Sequence, residues 1–430
     1  MSRLLIRHAR VVDPSQRLDE GLDILVVDGA IARIAERIED KDAEKLDATG
    51  LVAAPGFIDA HVHLREPGFE YKETIASGSA AAVAGGFTAV CCMPNTSPVN
   101  DSAAVTEFIR GRAFEAGLAR VYPVGAVSKG LAGEELAEMG EMVRAGAVAF
   151  SDDGKPVSNS YLMRRALEYA QLFGVPVVDH CEDPALAAKG VMHEGAIATR
   201  LGLRGIPAAA EEVVVARDVV LAELAHGHLH VAHLSTAGAL ARVREAKAKG
   251  VAVTCEVTPH HLALTDAAVA ESSYDTDTKM NPPLRGTEHV AALIDGVLDG
   301  SVDCLATDHA PHHADEKALE FDLAPFGVVG LETAIPVSYD ALVRRHKLAL
   351  RHFIALWSCN PARIFKLPGG TLKVGAPADI TLLDLEARLT VNPDRFRSLS
   401  RNTPFAGQRL KGWPAATLVG GKVVWRRERR

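Results

Sequence analysis

Two histidines, His61 and His63, lie in the segment GFIDAHVHLREPG. Side chains alternate between the two faces of a β-strand, so a spacing of two directs both imidazole rings to the same side. Two neutral ring nitrogens that converge on one point are the beginning of a metal site. The pair therefore predicts a metal-binding strand at this position.

Further residues of metal-ligand type stand at the C-terminal ends of separate apolar runs: Asp153 in VAFSDDG, His180 in VPVVDHCED, His233 in LHVAHLST and Asp308 in DCLATDHAPH. Histidines combined with carboxylates suit Zn²⁺, and a carboxylate can bridge two ions. The sequence leaves open whether one ion or two bind. A metal ion lowers the pKa of its bound water to about 7 and polarises a carbonyl group under attack. This set of residues therefore indicates hydrolysis of an amide-like bond.

Strand-like apolar runs must position these residues, and they occur at 56–64, 87–95, 120–128, 147–153, 175–181, 229–235, 251–260 and 303–309. Helical patterns lie between them, for example at 101–116, 158–173, 207–226 and 286–299. This alternation predicts an α/β fold, a (β/α)8 TIM barrel whose active site lies at the C-terminal ends of its strands. Every candidate ligand falls at such an end.

Strand alternation also indicates which of two adjacent aspartates points into the barrel. Asp153 shares a face with Ser151 and Ala149, whereas Asp152 shares a face with Phe150, which suits the side facing the helices. Asp153 is therefore the expected ligand.

The remaining histidines of the predicted strands are expected to play lesser parts. His226, His228 and His230 imitate the HxH spacing, but they precede the strand end and are interpreted as helix-end, loop or strand-start residues. His260 and His261 close the seventh run and are expected to lie behind the ligands.

Composition limits the class of protein. The chain has 430 residues, of which 48% are hydrophobic, so it can bury a large core. A formal net charge of -8 argues against binding to nucleic acid or to an anionic membrane. The chain shows no apolar run of the roughly 18 residues that a spanning helix needs, and the segment MSRLLIRHARVVDPSQ lacks the sustained apolar stretch of a secretory signal, so none is expected. A cytoplasmic protein is expected, with its six cysteines reduced.

The two ends of the chain have β-strand patterns without the alternating helical patterns of the middle. The segments LLIRHARVVD, LDILVVDGAIARIAE, ADITLLDLEA and AATLVGGKVVWR have β-strand character with hairpin-like DG and GG turns. We expect one small β-sandwich-like domain from residues 1–54 and 366–430, and a metal-dependent catalytic barrel from residues 55–365.

Several segments, in order along the predicted barrel, resemble the signatures of bacterial dihydroorotases of the amidohydrolase superfamily: GFIDAHVHLREPG, AVCCMPNTSPV, FSDDGKPV, DHCED, HLST, TKMNPPLR and TDHAPH. The segments NPARIFKL and GAPADITLLD are similar to the close of that superfamily. The resemblance is to the branch with a bridging aspartate in place of a carboxylated lysine. It implies reversible cyclisation of N-carbamoyl-L-aspartate to L-dihydroorotate plus water in pyrimidine biosynthesis.

The resemblance also implies roles for single residues. His61, His63 and Asp308 would hold one Zn²⁺, His180 and His233 would hold a second, and Asp153 would bridge. Asp308 would in addition be the general base, a role that needs a carboxylate within hydrogen-bond reach of the attacking water and of the leaving nitrogen.

Substrate contacts are implied for His63, Arg65, Asn95, Asn281, His312, Phe326 and Gly327, the last two through backbone groups. Arg65 follows His63 by two residues on the same strand face, and its planar guanidinium suits a substrate carboxylate. The long connection 309–327 is expected to order over bound substrate.

Two alternatives stay open. The first is another cyclic-amide hydrolase, such as a hydantoinase, dihydropyrimidinase or allantoinase, which would use the same barrel. Arg65, Asn281 and Asp153 favour the acidic substrate instead. Lys155 could imitate the carboxylated bridging lysine of some relatives, but it is predicted to lie beyond the strand. An inactive partner of aspartate carbamoyltransferase is the second alternative, but such chains lack the ligands that are kept here. A homodimer is expected, and an active chain could also associate with aspartate carbamoyltransferase.

Overall fold

A computed structural model describes residues 2–428, so that Met1, Arg429 and Arg430 lie outside the described residues. The strands in chain order are β1 (Arg3–Asp13), β2 (Leu18–Val27), β3 (Ala30–Ala35), β4 (Glu44–Asp47), β5 (Val52–Pro55), β6 (Phe57–Val62), β7 (Phe87–Cys92), β8 (Arg120–Gly125), β9 (Ala149–Phe150), β10 (Val177–Asp179), β11 (Met192–His193), β12 (Gly205–Ile206), β13 (Leu229–Val231), β14 (Val253–Val257), β15 (Cys304–Leu305), β16 (Ile380–Thr390), β17 (Arg409–Val419) and β18 (Lys422–Arg426).

The α-helices are α1 (Ile75–Ala84), α2 (Ala103–Ala116), α3 (Met139–Ala145), α4 (Ser160–Phe173), α5 (Pro184–Ala187), α6 (Ala196–Leu201), α7 (Ala209–Ala225), α8 (Ala237–Ala248), α9 (Pro259–Ala263), α10 (Ala267–Glu271), α11 (Thr287–Leu298), α12 (Ala314–Lys317), α13 (Ala334–Ser338), α14 (Leu350–Trp357) and α15 (Cys359–Ile364). Within residues 2–428, no helix is both long and apolar enough to cross a membrane.

Eight parallel strands form the barrel, in the order β6, β7, β8, β9, β10, β13, β14 and β15. The ring closes just beyond β15, where His309 forms a parallel bridge with Val62 and its carbonyl accepts a 2.8 Å hydrogen bond from the His63 backbone N–H. The predicted TIM barrel is therefore confirmed, and each predicted strand contains one of these eight strands.

The observed strands are shorter than the predicted ones because the chain turns where the ligands begin. The predicted strand 251–260 ends at Val257, since Pro259 starts α9 and the Thr258 side chain caps it by accepting from the His261 N–H. Proline fits the first turn of a helix, where its missing N–H has no partner to lose. In the same way β9 ends at Phe150, before Asp153 enters the site.

Helix α4 illustrates how the sequence builds the outer layer. The Asn159 side chain accepts from the backbone N–H groups of Tyr161 and Leu162, and Gly174 ends the helix in a left-handed conformation. Buried side chains such as Leu162 and Leu167 face the strands. This local pattern explains why the predicted helix 158–173 is almost the observed one.

Two apolar layers hold the barrel. Large side chains such as Phe57, Phe87 and Trp357 are buried between strands and helices. Smaller ones such as Ala89 and Cys304 pack in a separate cluster of the strands. Burying one large apolar side chain contributes about 1.5–3 kcal/mol, so the outer layer supplies much of the stability.

Both ends of the chain build a second sheet, with strand order β18, β17, β16, β5, β1, β2, β3, and with β4 paired to β1. This sheet has its own apolar cluster, which includes Ile6, Ile24 and Leu382. The β-rich domain expected from the two termini is therefore present. Its boundaries at residues 54 and 366 remain a prediction.

Candidate metal centre and active site

The six predicted ligands converge at the C-terminal ends of five barrel strands: His61 and His63 on and after β6, Asp153 after β9, His180 after β10, His233 after β13 and Asp308 after β15. Asp153 lies at the centre of the group. Its Oδ1 is 3.4 Å from His61 Nε2, 3.5 Å from His233 Nε2 and 3.7 Å from His180 Nδ1. Its Oδ2 is 3.4 Å from His63 Nε2.

Asp308 approaches the same centre from the other side. Its Oδ1 lies 3.1 Å from His63 Nε2 and 3.7 Å from His61 Nε2. None of the six residues is more than 6% exposed. The structure therefore brings the whole predicted ligand set together in a site with little access to bulk water.

Buried atoms of this cluster that could ligate a metal ion lack a hydrogen-bond partner. Among the described residues, His61 Nε2 and Asp153 Oδ1 face each other across 3.4 Å and are buried without a hydrogen-bond partner, and such an atom costs about 1–3 kcal/mol. Ligand atoms within 4.8 Å of one another occur in the sets His61, His63, Asp308 and His61, Asp153, His233. The residues present therefore fit one or two divalent ions.

The pKa values of the two carboxylates in the cluster are also suited to metal binding. Burial opposes ionisation of Asp308, but the hydrogen bond from His63 and the charge of His61 lower its pKa below the ordinary range. The pKa of Asp153 is lowered well below its usual value, because His61 and His233 outweigh burial. Both carboxylates are thus ionised at neutral pH, the form in which a carboxylate binds a metal ion.

Glu256 supports the cluster from inside the barrel, and sequence reasoning missed it. Its Oε1 is 3.0 Å from His61 Nδ1 and its Oε2 is 3.2 Å from His230 Nε2. Burial would raise the pKa of Glu256, but the hydrogen bonds from His230 and His61 lower it to about 2. The signal in the sequence was an acidic residue inside the apolar run VAVTCEVTPH.

Two predicted substrate contacts, Asn95 and Asn281, touch the ligands directly. Asn95 Oδ1 is 2.9 Å from His63 Nδ1, and its Nδ2 is 3.5 Å from Asp153 Oδ2. Asn281 Nδ2 is 3.3 Å from His180 Nε2. Each amide can therefore orient a ligand ring as well as contact a substrate.

The other predicted substrate residues form a second group beside the first. Arg65 Nη2 is 3.5 Å from His312 Nε2, which is 2.8 Å from the Phe326 carbonyl oxygen. Burial, and then the charge of Arg65, lower the pKa of His312 to about 2, so its ring is neutral. Gly327 has φ +132°, and a Cβ there would lie 2.7 Å from Ala310 Cβ, so the close approach requires glycine.

Two lysines hold the connection 309–327, one from a neighbouring segment (Lys279) and one from within the connection (Lys317). Lys279 Nζ donates to the carbonyls of Phe321 (2.6 Å) and Ala324 (2.7 Å). Lys317 Nζ donates to the Gly327 carbonyl at 3.1 Å. These hydrogen bonds fix the backbone of the connection, while its expected response to substrate remains a prediction.

Other residues singled out in the sequence lie away from the centre or behind it. Lys155 is exposed beyond the strand, as expected. His261 Nε2 is 2.9 Å from the Pro282 carbonyl and so supports the segment that carries Asn281. A cleft of about 1570 Å³ beside the terminal sheet, lined in part by Trp413, does not include the ligands.

Several known proteins are similar to this chain over nearly all of its length. A family model described as dihydro-orotase-like matches residues 50–239. A dihydroorotase of Anaeromyxobacter dehalogenans is 58% identical over 98% of this chain and 97% of that protein. One of Pelotomaculum thermopropionicum is 56% identical over 98% of each. The solved structure of an L-hydantoinase (dihydropyrimidinase) from Arthrobacter aurescens is 26% identical, with TM-score 0.87, covering 98% of this chain and 96% of that one.

Proposed function

The chain belongs to the dihydroorotase family, and we propose that it is a zinc-dependent dihydroorotase that interconverts N-carbamoyl-L-aspartate and L-dihydroorotate. The observation that carries the proposal is the buried convergence of six ligand-type residues, with Asp153 at their centre and with Arg65 and His312 in a neighbouring group. The cyclic amidohydrolase class follows from the relatives; the metal and the residue roles are our inference.

In this proposal His61, His63 and Asp308 would hold one Zn²⁺, His180 and His233 would hold a second, and Asp153 would contribute its carboxylate to both. When bound, zinc would polarise the carbonyl under attack and lower the pKa of the attacking water. The rings must be neutral to bind a metal, and the carboxylates of Asp153 and Asp308 offset the charge of the ions.

Asp308 is proposed as the general base. In the direction of ring opening it accepts the proton of the attacking water and returns it to the ring nitrogen as the amide bond breaks. Its lowered pKa keeps it unprotonated at the start of that sequence. Its position against both His61 and His63 supports this role.

Arg65 is proposed to bind the substrate carboxylate, with His312, Asn95 and Asn281 and the backbone of Phe326 and Gly327 around the ring. A guanidinium pairs with a carboxylate through two parallel hydrogen bonds, which a neutral ring substrate does not offer. This feature favours dihydroorotate over hydantoin-type substrates. The solved structural neighbour is named as an enzyme for the latter, an L-hydantoinase.

The test is turnover of dihydroorotate, hydantoin, dihydrouracil and allantoin by purified protein, with the zinc content measured on the same sample. We expect turnover of dihydroorotate and one to two zinc ions per chain. Turnover of a neutral ring alone would overturn the proposal in favour of a hydantoinase, dihydropyrimidinase or allantoinase. A metal-free and inactive protein would instead favour a role as a partner of aspartate carbamoyltransferase.

We further propose a cytoplasmic homodimer, and an association of the active enzyme with aspartate carbamoyltransferase is compatible with this function. These statements remain predictions from the sequence.

A further inference from the structure

Glu256 is the last but one residue of β14 and is fully buried. One carboxylate oxygen is 3.0 Å from Nδ1 of His61, and the other is 3.2 Å from Nε2 of His230. The two histidines come from strands β6 and β13, so one side chain joins three strands inside the barrel.

These contacts determine which ring nitrogen of His61 carries the proton. A carboxylate accepts hydrogen bonds and donates none, so His61 must donate from Nδ1 and His230 from Nε2. A neutral His61 protonated at Nδ1 has its lone pair on Nε2. That atom is the one that faces Asp153 Oδ1 at 3.4 Å and Asp308 Oδ1 at 3.7 Å.

A line of hydrogen bonds continues away from the metal centre and reinforces this choice. His230 Nδ1 is 2.8 Å from Thr254 Oγ1, and His228 Nε2 is 2.9 Å from the same oxygen. With the His230 proton on Nε2, its Nδ1 accepts from the Thr254 hydroxyl, whose oxygen accepts from His228. Every donor then has an acceptor, and such chains of hydrogen bonds strengthen one another.

We propose that Glu256 is a positioning residue for the metal, which fixes His61 as the Nδ1-protonated tautomer and keeps its Nε2 lone pair directed at the ion. The proposal rests on the zinc centre proposed above. Partners that orient a metal-bound histidine in this way typically change metal affinity by about 10–100-fold when removed. Glu256 would thus set how firmly zinc is held without touching zinc or substrate.

The test measures Zn²⁺ affinity of the full-length protein by competition with a chromophoric chelator at fixed pH. E256L removes the acceptor and should weaken zinc binding by about 10–100-fold. E256Q can still accept from His61 if His230 shifts its proton to Nδ1, so it loses the charge but keeps the hydrogen bonds. We expect its affinity to lie between those of wild type and E256L.

E73Q is the matched control. Glu73 is equally buried and also contacts a histidine, with Oε2 3.4 Å from His309 Nε2, but His309 is not a proposed ligand. Zinc affinity of E73Q should equal that of wild type. Visible spectra of the Co²⁺-substituted proteins give a second readout, which should change in E256L and not in E73Q.

The result that overturns the inference is wild-type zinc affinity in E256L, or an equal loss in E73Q, which would show a general effect of removing a buried charge. Failure of wild-type protein to bind zinc would overturn the proposed function instead. Circular dichroism of the metal-free variants checks that each one is folded, and E256Q serves if E256L is not.

Discussion

Three residues of the site hold backbone conformations that non-glycine residues rarely adopt. Arg65 has φ 62°, His233 has φ 31° and Asp308 has φ 48°. Each such conformation costs of order 1–3 kcal/mol and persists only where the surrounding structure determines it. All three follow a barrel strand, so the strain accompanies the turn that aims each side chain at the centre.

Asp308 is the residue on which the proposed chemistry depends most. D308N keeps the size of the side chain but removes the base and a charged ligand atom. We expect kcat for dihydroorotate to fall by about 10²–10⁴-fold, the usual contribution of a general base. Steady-state turnover with zinc measured on the same sample checks this, and retention of a tenth of wild-type kcat would contradict the assigned role.

D303N is the control for that variant on the same strand. Asp303 stands just before β15, where its Oδ2 accepts from Lys247 Nζ at 2.5 Å and from the Cys255 N–H at 2.8 Å. It lies at the opposite end of the strand from Asp308. We therefore expect D303N to keep wild-type kcat and zinc content, with an effect on stability only.

The positions of the ligands could be predicted from the sequence because each ends an apolar run, and barrel topology brings strand ends together. Strand alternation favoured Asp153 over Asp152, and in the structure Asp152 instead accepts from the backbone of Val127 and Ser128. Glu256 could not be assigned in this way. Its partner His61 is 195 residues distant, and nothing in either local pattern indicates the contact.

At the scale of elements, the segment that follows β16 contributes to the substrate side of the site. Asn402 Nδ2 donates to the carbonyls of Gly327 (3.0 Å) and Ala310 (3.2 Å). Ser398, from the same segment, donates to the buried Glu73. The strands on either side of this segment could be predicted from the sequence. The contacts of the segment itself could not, because contacts between loops leave no periodic pattern of apolar residues.

N402A should weaken substrate binding and leave the metal in place. The change removes the hydrogen bonds that Asn402 donates to the carbonyls of Gly327 and Ala310, each worth about 0.5–1.5 kcal/mol, so KM for dihydroorotate should rise by about tenfold. We expect kcat and zinc content to change little. Steady-state kinetics separates KM from kcat, and an unchanged KM would exclude this positioning role.

N392A provides the matched control for N402A. Asn392 belongs to the same C-terminal region, and its side chain accepts from the Asp394 N–H to cap a short 3-10 turn. It makes no hydrogen bond to the loop that carries Gly327 among the described residues. KM should therefore stay at the wild-type value in this variant.

At the scale of the whole molecule, polar contacts join the terminal sheet to the barrel. Thr381 Oγ1 donates to the Gly86 carbonyl and Thr417 Oγ1 to the Val83 carbonyl, each at 2.7 Å. Both acceptors lie at the C-terminal side of α1, where the chain approaches β7. The division into a barrel and a terminal sheet could be predicted from sequence composition and periodicity. These hydrogen bonds could not, because they depend on how the sheet packs against the barrel.

Glu332 makes a further contact with the C-terminal part of the chain, and its titration makes the free energy of unfolding depend on pH. Its Oε1 accepts from the backbone N–H groups of Arg397 (2.7 Å) and Ser398 (3.2 Å). Burial nevertheless raises its pKa from the ordinary 4.5 to about 8. The folded protein therefore keeps a proton that the unfolded chain releases, so the stabilisation is complete below pH 4.5 and is lost as the pH rises through 8.

E332Q removes this titration while its amide oxygen can still accept from both N–H groups. Between about pH 5 and pH 9 we expect the melting temperature of wild type to fall more steeply than that of E332Q, so that the variant gains relative stability as the pH rises. E20Q, a change of an exposed glutamate in β2, should follow the wild-type curve. Thermal unfolding of the three proteins with zinc bound measures the difference. Parallel curves for wild type and E332Q would show that Glu332 is already ionised in the folded state, because its two backbone hydrogen bonds would then outweigh its burial.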